Sequence, residues 1–125
     1  MVIGIGLDLV ETGRVERALA RFGERFVGKL MDPAEAGALP RPHDARARAV
    51  ALAVAAKEAA SKALGTGWSQ GVRWRDVVVS LAPAAALRLD GRAAQVARAR
   101  GSSGRTATRL ELRGPLVVAE VWLLS

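Results

Sequence analysis

The sequence predicts an α+β fold in which an antiparallel sheet packs against a long alanine-rich helix. Three observations point to this class. An alternating apolar stretch starts at residue 2, an alanine-rich helical run covers about residues 45–64, and four short stretches of strand character follow. With 125 residues, 50% of them hydrophobic, the chain is long enough for one domain, which we expect to cover residues 1–125.

The first element is a strand with the sequence VIGIGLDLV, residues 2–10. Isoleucine and leucine side chains alternate with Gly4, Gly6 and Asp8, which is the period of a half-buried strand. We expect Asp8 at the end of this strand, on its glycine face. The two glycines allow either a ligand or another backbone to approach that face closely.

A helix follows from Thr12, its expected N-cap, and is predicted to continue to Leu30 with one apolar face. Another side of this helix carries arginines at spacings of three and four, namely Arg14, Arg17, Arg21 and Arg25. This arginine stripe is either a solvated face or a docking surface for an acidic protein partner.

A short second helix is predicted at DPAE, where Asp32 is the cap, Pro33 takes the first helical position and Glu35 reaches back to the cap. Residues 40–44 are then predicted to form a loop. The loop contains the only histidine, His43, to which we assign no catalytic role because a lone loop histidine is usually solvated.

The alanine-rich helix over about residues 45–64 contains AAKEAASKALGTG, and Gly65 and Gly67 are predicted to end it. Glu58 and Lys62 are four residues apart and therefore share one helix face. From these residues alone, an ordinary surface ion pair between them is the default explanation. Strands are predicted over 76–81, 86–91, 108–112 and 116–124, with a helix over 92–100.

The charge balance narrows the classes of partner. The chain carries 19 Lys and Arg residues against 12 Asp and Glu residues, so an acidic or phosphate-bearing partner is expected. Aromatic residues make up only 4% and no basic segment carries interleaved aromatics, which argues against nucleic acid. No leader is recognised, so the protein is expected to be cytoplasmic. Without a long apolar run no membrane partner is expected, and without cysteine no disulfide can form.

Taken in order, GIGLDLVE, FVGKLMDPAE, AAKEAASKALGTG and RWRDVVVS resemble the holo-acyl-carrier-protein synthases, the small trimeric class of 4′-phosphopantetheinyl transferases. The resemblance covers nearly the whole chain, and its most specific parts are GLD and KEAASKALGTG. It implies a homotrimeric transferase of lipid metabolism, as in fatty acid biosynthesis. Such an enzyme moves the 4′-phosphopantetheine arm of coenzyme A to a serine of apo acyl carrier protein and releases adenosine 3′,5′-bisphosphate.

The resemblance also assigns roles to residues. Asp8 and Glu58 match the family's catalytic, Mg²⁺-binding carboxylates, and Lys62 matches its catalytic lysine, which contacts the phosphates of coenzyme A. Gly65 and Thr66 match residues that line the coenzyme site. By this resemblance, Glu58 and Lys62 flank a diphosphate rather than pair with each other, and Glu58, or a water near it, accepts the serine proton.

Two further expectations concern partners. Arg14 and Arg21 match the surface on which the family docks the acidic helix of the carrier protein, and Arg25 and Arg17 extend that surface. The family is homotrimeric with sites between subunits, so part of the coenzyme pocket is expected from a neighbouring copy.

One stretch departs from the family pattern. Family members carry a serine-and-histidine motif in the penultimate strand, whereas this chain has TRLELRGPL, with Leu112 at the position of the histidine. Three outcomes are open: Arg109 or Arg113 substitutes for the histidine, the reaction is slower, or the reaction is lost. In the last case the chain is a non-catalytic homologue that binds coenzyme A or carrier protein.

Overall fold

The computed structural model describes all residues, Met1–Ser125. In chain order the elements are β1 (Val2–Glu11), α1 (Thr12–Phe22), α2 (Glu24–Leu30), α3 (Pro33–Gly37), α4 (His43–Leu64), β2 (Val77–Ser80), β3 (Ala86–Leu89), α5 (Gly91–Ala99), β4 (Thr106–Arg113) and β5 (Leu116–Leu124). A single 3₁₀ turn, Trp74–Asp76, precedes β2. The predicted α+β class is confirmed, and the last strand has the predicted bounds.

The strands form two antiparallel units rather than one. β5 lies between β1 and β4 in a three-stranded sheet, while β2 pairs with β3 as a separate two-stranded ribbon. The predicted antiparallel sheet against the alanine-rich helix is the three-stranded sheet, and the ribbon is an additional unit. The helix α5 separates β3 from β4 along the chain, so β4 pairs with its hairpin neighbour β5 instead.

The helix α4 packs on the three-stranded sheet through the glycine face of β1. A Cβ atom built on Gly6 would lie 1.7 Å from the carbonyl oxygen of Ala59, and one built on Gly4 would lie 2.1 Å from that of Ala63. No side chain fits in either place, so the close approach that the two glycines allow is to another backbone. This contact fixes α4 against the strand that carries Asp8.

The other face of β1 is apolar and exposed. Ile5, Leu7 and Leu9 are 56%, 58% and 60% exposed. The strand β1 is therefore half-buried as predicted. Within one chain, however, the buried face is the glycine face, which α4 covers, and the aliphatic face is exposed. An exposed strip of three large aliphatic side chains marks an interaction surface. We call these three residues the β1 strip.

Three helix boundaries differ from the prediction. Gly23, with a φ of 56°, separates α1 from α2, so the helix predicted from Thr12 to Leu30 is two helices. Thr12 is the first residue of α1 rather than its cap, and its hydroxyl donates to the carbonyl oxygen of Pro115 at 3.1 Å. The helix α4 begins at His43, so this histidine lies in the first helical turn and not in a loop.

Two predicted helix ends are confirmed. The backbone N–H of Glu35 donates to Asp32 Oδ1 at 2.8 Å, and that of Asp32 donates to Glu35 Oε1 at 3.1 Å, which completes the capping box of α3. Gly65 ends α4 in the left-handed conformation.

None of the helices combines the length and the apolar character needed to cross a membrane.

Candidate active site

Asp8 lies within β1, opposite Ala119 of β5, and its side chain is 16% exposed. The sequence predicted it at the strand end, but pairing with β5 continues to Glu11. On α4, Lys62 donates hydrogen bonds to Asp8 Oδ1 at 2.9 Å and to the carbonyl oxygen of Leu7 at 3.0 Å. The close packing of α4 on the glycine face thus joins two predicted site residues from different elements.

Glu58 lies one turn before Lys62 on α4, and the two do not pair. Lys62 binds Asp8 instead, so the default surface ion pair does not form. The indole N–H of Trp68 donates to Glu58 Oε2 at 3.3 Å, whereas Oε1 makes no hydrogen bond within the chain. The role of Trp68 is not predictable from the sequence, because nothing in its local pattern marks it as a partner of a residue in the preceding helix.

Asp8 and Glu58 line one cavity of about 350 Å³, to which β1, α1, α2 and α4 contribute. Arg14 of α1 lines the same cavity, and apolar side chains including Phe26 and Val54 complete its wall. Two carboxylates and one guanidinium therefore border the same space. Carboxylates are the protein ligands that hold Mg²⁺, and a guanidinium binds phosphate, so the arrangement can hold a cation together with a phosphate.

Gly65 and Thr66 line a different cavity, of about 470 Å³, at the C-terminal end of α4. Arg92 and Arg100 contribute to its wall. The site residues that the resemblance implies are thus divided between two cavities: Asp8 and Glu58 line one, Gly65 and Thr66 line the other, and Lys62 lines neither. The C-terminal end of a helix is the negative end of its dipole, so a phosphate bound here depends on cationic side chains.

The predicted arginine stripe is interrupted. Arg14, Arg17 and Arg21 are exposed on α1, but Arg25 lies on α2, beyond the turn at Gly23. The prediction of one continuous stripe is wrong because the helix that would carry it ends at that glycine. Among these four arginines, only Arg14 lines the cavity that contains the two carboxylates.

Lys57, next to Glu58, is fully buried and forms an ion pair that was not predicted from the sequence. Its Nζ lies 3.0 Å from Glu35 Oε2 and also donates to the carbonyl oxygens of Trp74, at 3.0 Å, and Val77. Burial lowers the pKa of Lys57, and the neighbouring Glu35 carboxylate opposes that shift. The one available signal was a lysine at a core position of an alanine-rich helix.

The strand β4 shows where the missing histidine would lie. It pairs with β5 without a bulge, and Leu112 lies opposite the buried Val117, on the face that α4 covers. Arg109 and Arg113 lie on the other face, where Arg113 pairs with Glu111 at 2.8 Å and lowers the pKa of that carboxyl. With this register, neither arginine can replace a side chain at Leu112 within its own chain.

Known proteins share these features over most of the chain. A sequence profile of the 4′-phosphopantetheinyl transferase superfamily matches residues 4–112. The holo-[acyl-carrier-protein] synthase of Methylobacterium sp. (strain 4-46) is 52% identical over 96 residues, which cover 75% of this chain and 70% of the relative. The synthase of Alkalilimnicola ehrlichii is 46% identical over 106 residues, which cover 83% of each chain.

Solved structures have the same fold. The holo-[acyl-carrier-protein] synthase of Neisseria meningitidis superposes with a TM-score of 0.79 at 28% identity and covers 100% of both chains. The synthase of Bacillus anthracis, solved in complex with coenzyme A (3′,5′-ADP), gives 0.76 at 27% identity, covering 100% of this chain and 98% of that one. With the motifs, the fold and the profile in agreement, this chain belongs to the 4′-phosphopantetheinyl transferase superfamily, among the holo-[acyl-carrier-protein] synthases.

Proposed function

We propose that this protein transfers the 4′-phosphopantetheine arm of coenzyme A to a serine of an apo acyl carrier protein and releases adenosine 3′,5′-bisphosphate. The observation that carries the proposal is the cavity shared by Asp8 and Glu58, with Lys62 bound to Asp8. The similar proteins are named for this synthase activity. A single domain over residues 1–125 and a cytoplasmic location are part of the same proposal.

Mg²⁺ is the proposed cofactor, and Asp8 and Glu58 would hold it. Their chemistry fits, because both side chains offer hard carboxylate oxygens and Glu58 Oε1 has no partner in the chain. Mg²⁺ held by two carboxylates keeps waters and substrate phosphates as its other ligands. When bound, the ion supplies positive charge that stabilises the transition state of phosphoryl transfer.

Lys62 would bind the diphosphate of coenzyme A. Its side chain is 53% exposed, so its ammonium can reach a bound substrate without leaving the vicinity of Asp8. Three donor hydrogens on the ammonium allow it to contact a phosphate oxygen while it still holds the Asp8 carboxylate. The position near the negative end of the α4 dipole makes this cation necessary, since the helix itself repels a phosphate there.

Glu58, or a water near it, is the proposed general base. The serine oxygen of the carrier protein attacks the β-phosphorus of the diphosphate, and its proton passes to Glu58 or to that water. The bond between the β-phosphorus and the bridging oxygen breaks, and that oxygen leaves with the bonding electrons as part of adenosine 3′,5′-bisphosphate. Arg14, which lines the same cavity, can compensate phosphate charge.

The carrier protein is proposed to dock on α1 and α2. Arg14 and Arg21 of α1 and Arg25 of α2 are exposed and would bind an acidic helix of the carrier. The position of Arg14 supports this arrangement, because a carrier bound there is beside the cavity that Glu58 lines. Charges of this kind accelerate encounter and set partner specificity more than they add affinity.

A homotrimer is proposed, with the β1 strip buried between subunits. The strip exposes Ile5, Leu7 and Leu9 in the single chain, and the cavity of about 350 Å³ is small for a ligand of the size of coenzyme A. Light scattering is expected to give three times the chain mass of 13.1 kDa. Leu7→Glu should give monomers, because it places a charge in the buried strip. The proposal would be contradicted if the protein without substitutions were itself a monomer.

A non-catalytic homologue that binds coenzyme A or carrier protein is the second candidate, because Leu112 replaces the family histidine. It is not favoured, since Asp8, Glu58 and Lys62 are all retained and the relatives are named as synthases.

Leu112 is 42% exposed, so a histidine fits at that position. Leu112→His is expected to raise turnover and to add an inflection near pH 6.5, at about the histidine pKa. A silent substitution would show that this position takes no part in the reaction.

Release of the nucleotide product tests the proposed function. The protein is incubated with coenzyme A, Mg²⁺ and an apo acyl carrier protein, and adenosine 3′,5′-bisphosphate is quantified by chromatography. Product is expected only when all components are present, and a carrier protein with its acceptor serine changed to alanine is the control. Binding of coenzyme A without any product would favour the second candidate.

A further inference from the structure

Two tryptophans stack beside the proposed general base. The rings of Trp68 and Trp74 have centroids 4.0 Å apart with an angle of 21° between their planes. The indole N–H of Trp68 donates to Glu58 Oε2 at 3.3 Å, while the indole N–H of Trp74 makes no hydrogen bond in the chain. In this stack the Trp68 ring contacts the Glu58 carboxylate, and the Trp74 ring packs against the Trp68 ring.

The supporting ring is held by buried groups. The carbonyl oxygen of Trp74 accepts a hydrogen bond from the Lys57 ammonium at 3.0 Å, and Lys57 is fully buried with Glu35 as its ion-pair partner. The 3₁₀ turn that contains Trp74 is closed by the hydrogen bond from the Asp76 N–H to the Arg73 carbonyl. Trp74 is thus a fixed surface, against which the loop residue Trp68 packs.

We propose that Trp68 is a positioning residue, which holds Glu58 Oε2 so that Oε1 is free to bind Mg²⁺ in the cavity shared with Asp8. This inference rests on the proposed function. A glutamate side chain has three rotatable bonds, and a hydrogen bond to one of its oxygens selects among its conformers. Partners that orient a metal-ligating carboxylate in this way commonly affect metal affinity by 10- to 100-fold.

The test measures binding of Mn²⁺, used in place of Mg²⁺, by electron paramagnetic resonance with coenzyme A present and carrier protein absent. Trp68→Phe keeps an aromatic ring and removes the N–H donor, so Mn²⁺ affinity is expected to fall about 10-fold. Trp74→Phe is the matched control, since it changes the stack and leaves the donor, and it should alter affinity less than twofold. In a Glu58→Gln background, Trp68→Phe should add no further loss.

A second readout follows the tryptophan emission of the unchanged protein, with Glu58→Gln as the control. Bound Mn²⁺ should quench tryptophan emission, because the proposed site places the ion near the Trp68 ring, and Glu58→Gln should abolish that quenching. The inference is overturned if Trp68→Phe binds Mn²⁺ as tightly as the unchanged protein, if Trp74→Phe is equally weak, or if no quenching occurs. Failure of the proposed function is recognised separately, as absence of nucleotide product from the unchanged protein.

Discussion

Gly6→Ala tests the packing that brings Asp8 to the residues of α4. An alanine Cβ at this position would lie 1.7 Å from the carbonyl oxygen of Ala59, 2.7 Å from its carbonyl carbon and 2.8 Å from the backbone nitrogen of Ala63. All three atoms belong to the backbone, so no side-chain rotation relieves the contact. The helix α4 and the strand β1 must move apart.

The size of this movement follows from the contact distance. Cβ atoms essentially never approach closer than 3.0 Å, so the carbonyl of Ala59 must retreat by about 1.3 Å. Overpacking of this kind costs about 1–3 kcal/mol of the free energy of unfolding. Because Asp8 is on β1 and Glu58 is on α4, the same shift separates the two carboxylates, and a misplacement of about 1 Å lowers catalysis by about 100-fold.

Two measurements check this prediction. Urea unfolding at one fixed protein concentration gives the change in the free energy of unfolding, and nucleotide release gives kcat/KM. Gly28→Ala is the matched control, because a Cβ in that helical position meets nothing closer than 4.0 Å. It should raise the free energy of unfolding by about 0.5–1 kcal/mol without affecting transfer. A Gly6→Ala protein with unchanged stability and unchanged kcat/KM would refute the reasoning.

Three further predictions concern single side chains. Glu58→Ala should lower transfer by about 100- to 10,000-fold without loss of fold, as measured at saturating Mg²⁺, and near-normal turnover would exclude Glu58 as the base. Arg21→Glu should raise the KM for carrier protein about tenfold but not that for coenzyme A, whereas Arg98→Glu on α5 should change neither. Lys57→Met should lower the free energy of unfolding by about 3–5 kcal/mol, because Glu35 stays buried without its partner. Adding Glu35→Gln, which removes that charge and keeps one oxygen acceptor for the backbone, should recover part of the loss, and a fully stable Lys57→Met protein would contradict this.

Much of the fold could be predicted because its signals are local. The alanine-rich helix ends at Gly65 as expected, and Asp32 caps α3 as expected, since each depends on residues within a few positions. The break at Gly23 could not be predicted, because an isolated glycine in an amphipathic pattern is compatible with a continuous helix. The side of β1 that is covered also escaped prediction, since the pattern shows two different faces without showing which one packs on α4.

The candidate site was predicted in part. The motif placed Glu58 and Lys62 on one helical turn, and it also implied that they are not partners of each other, in agreement with the Asp8–Lys62 ion pair. The contacts of Trp68 with Glu58 and of Lys57 with Glu35 are tertiary and depend on how loops and helices meet. Sequence spacing contains no information about such contacts, so they could be found only in the structure.

Intact-mass measurement of the carrier protein tests the central claim most directly. An apo acyl carrier protein incubated with this protein, coenzyme A and Mg²⁺ should gain about 340 Da, the mass of one phosphopantetheine, on a single serine. The gain should be absent with Asp8→Asn or Glu58→Gln protein. A carrier protein whose mass stays unchanged, in the presence of folded protein that binds coenzyme A, would contradict the account.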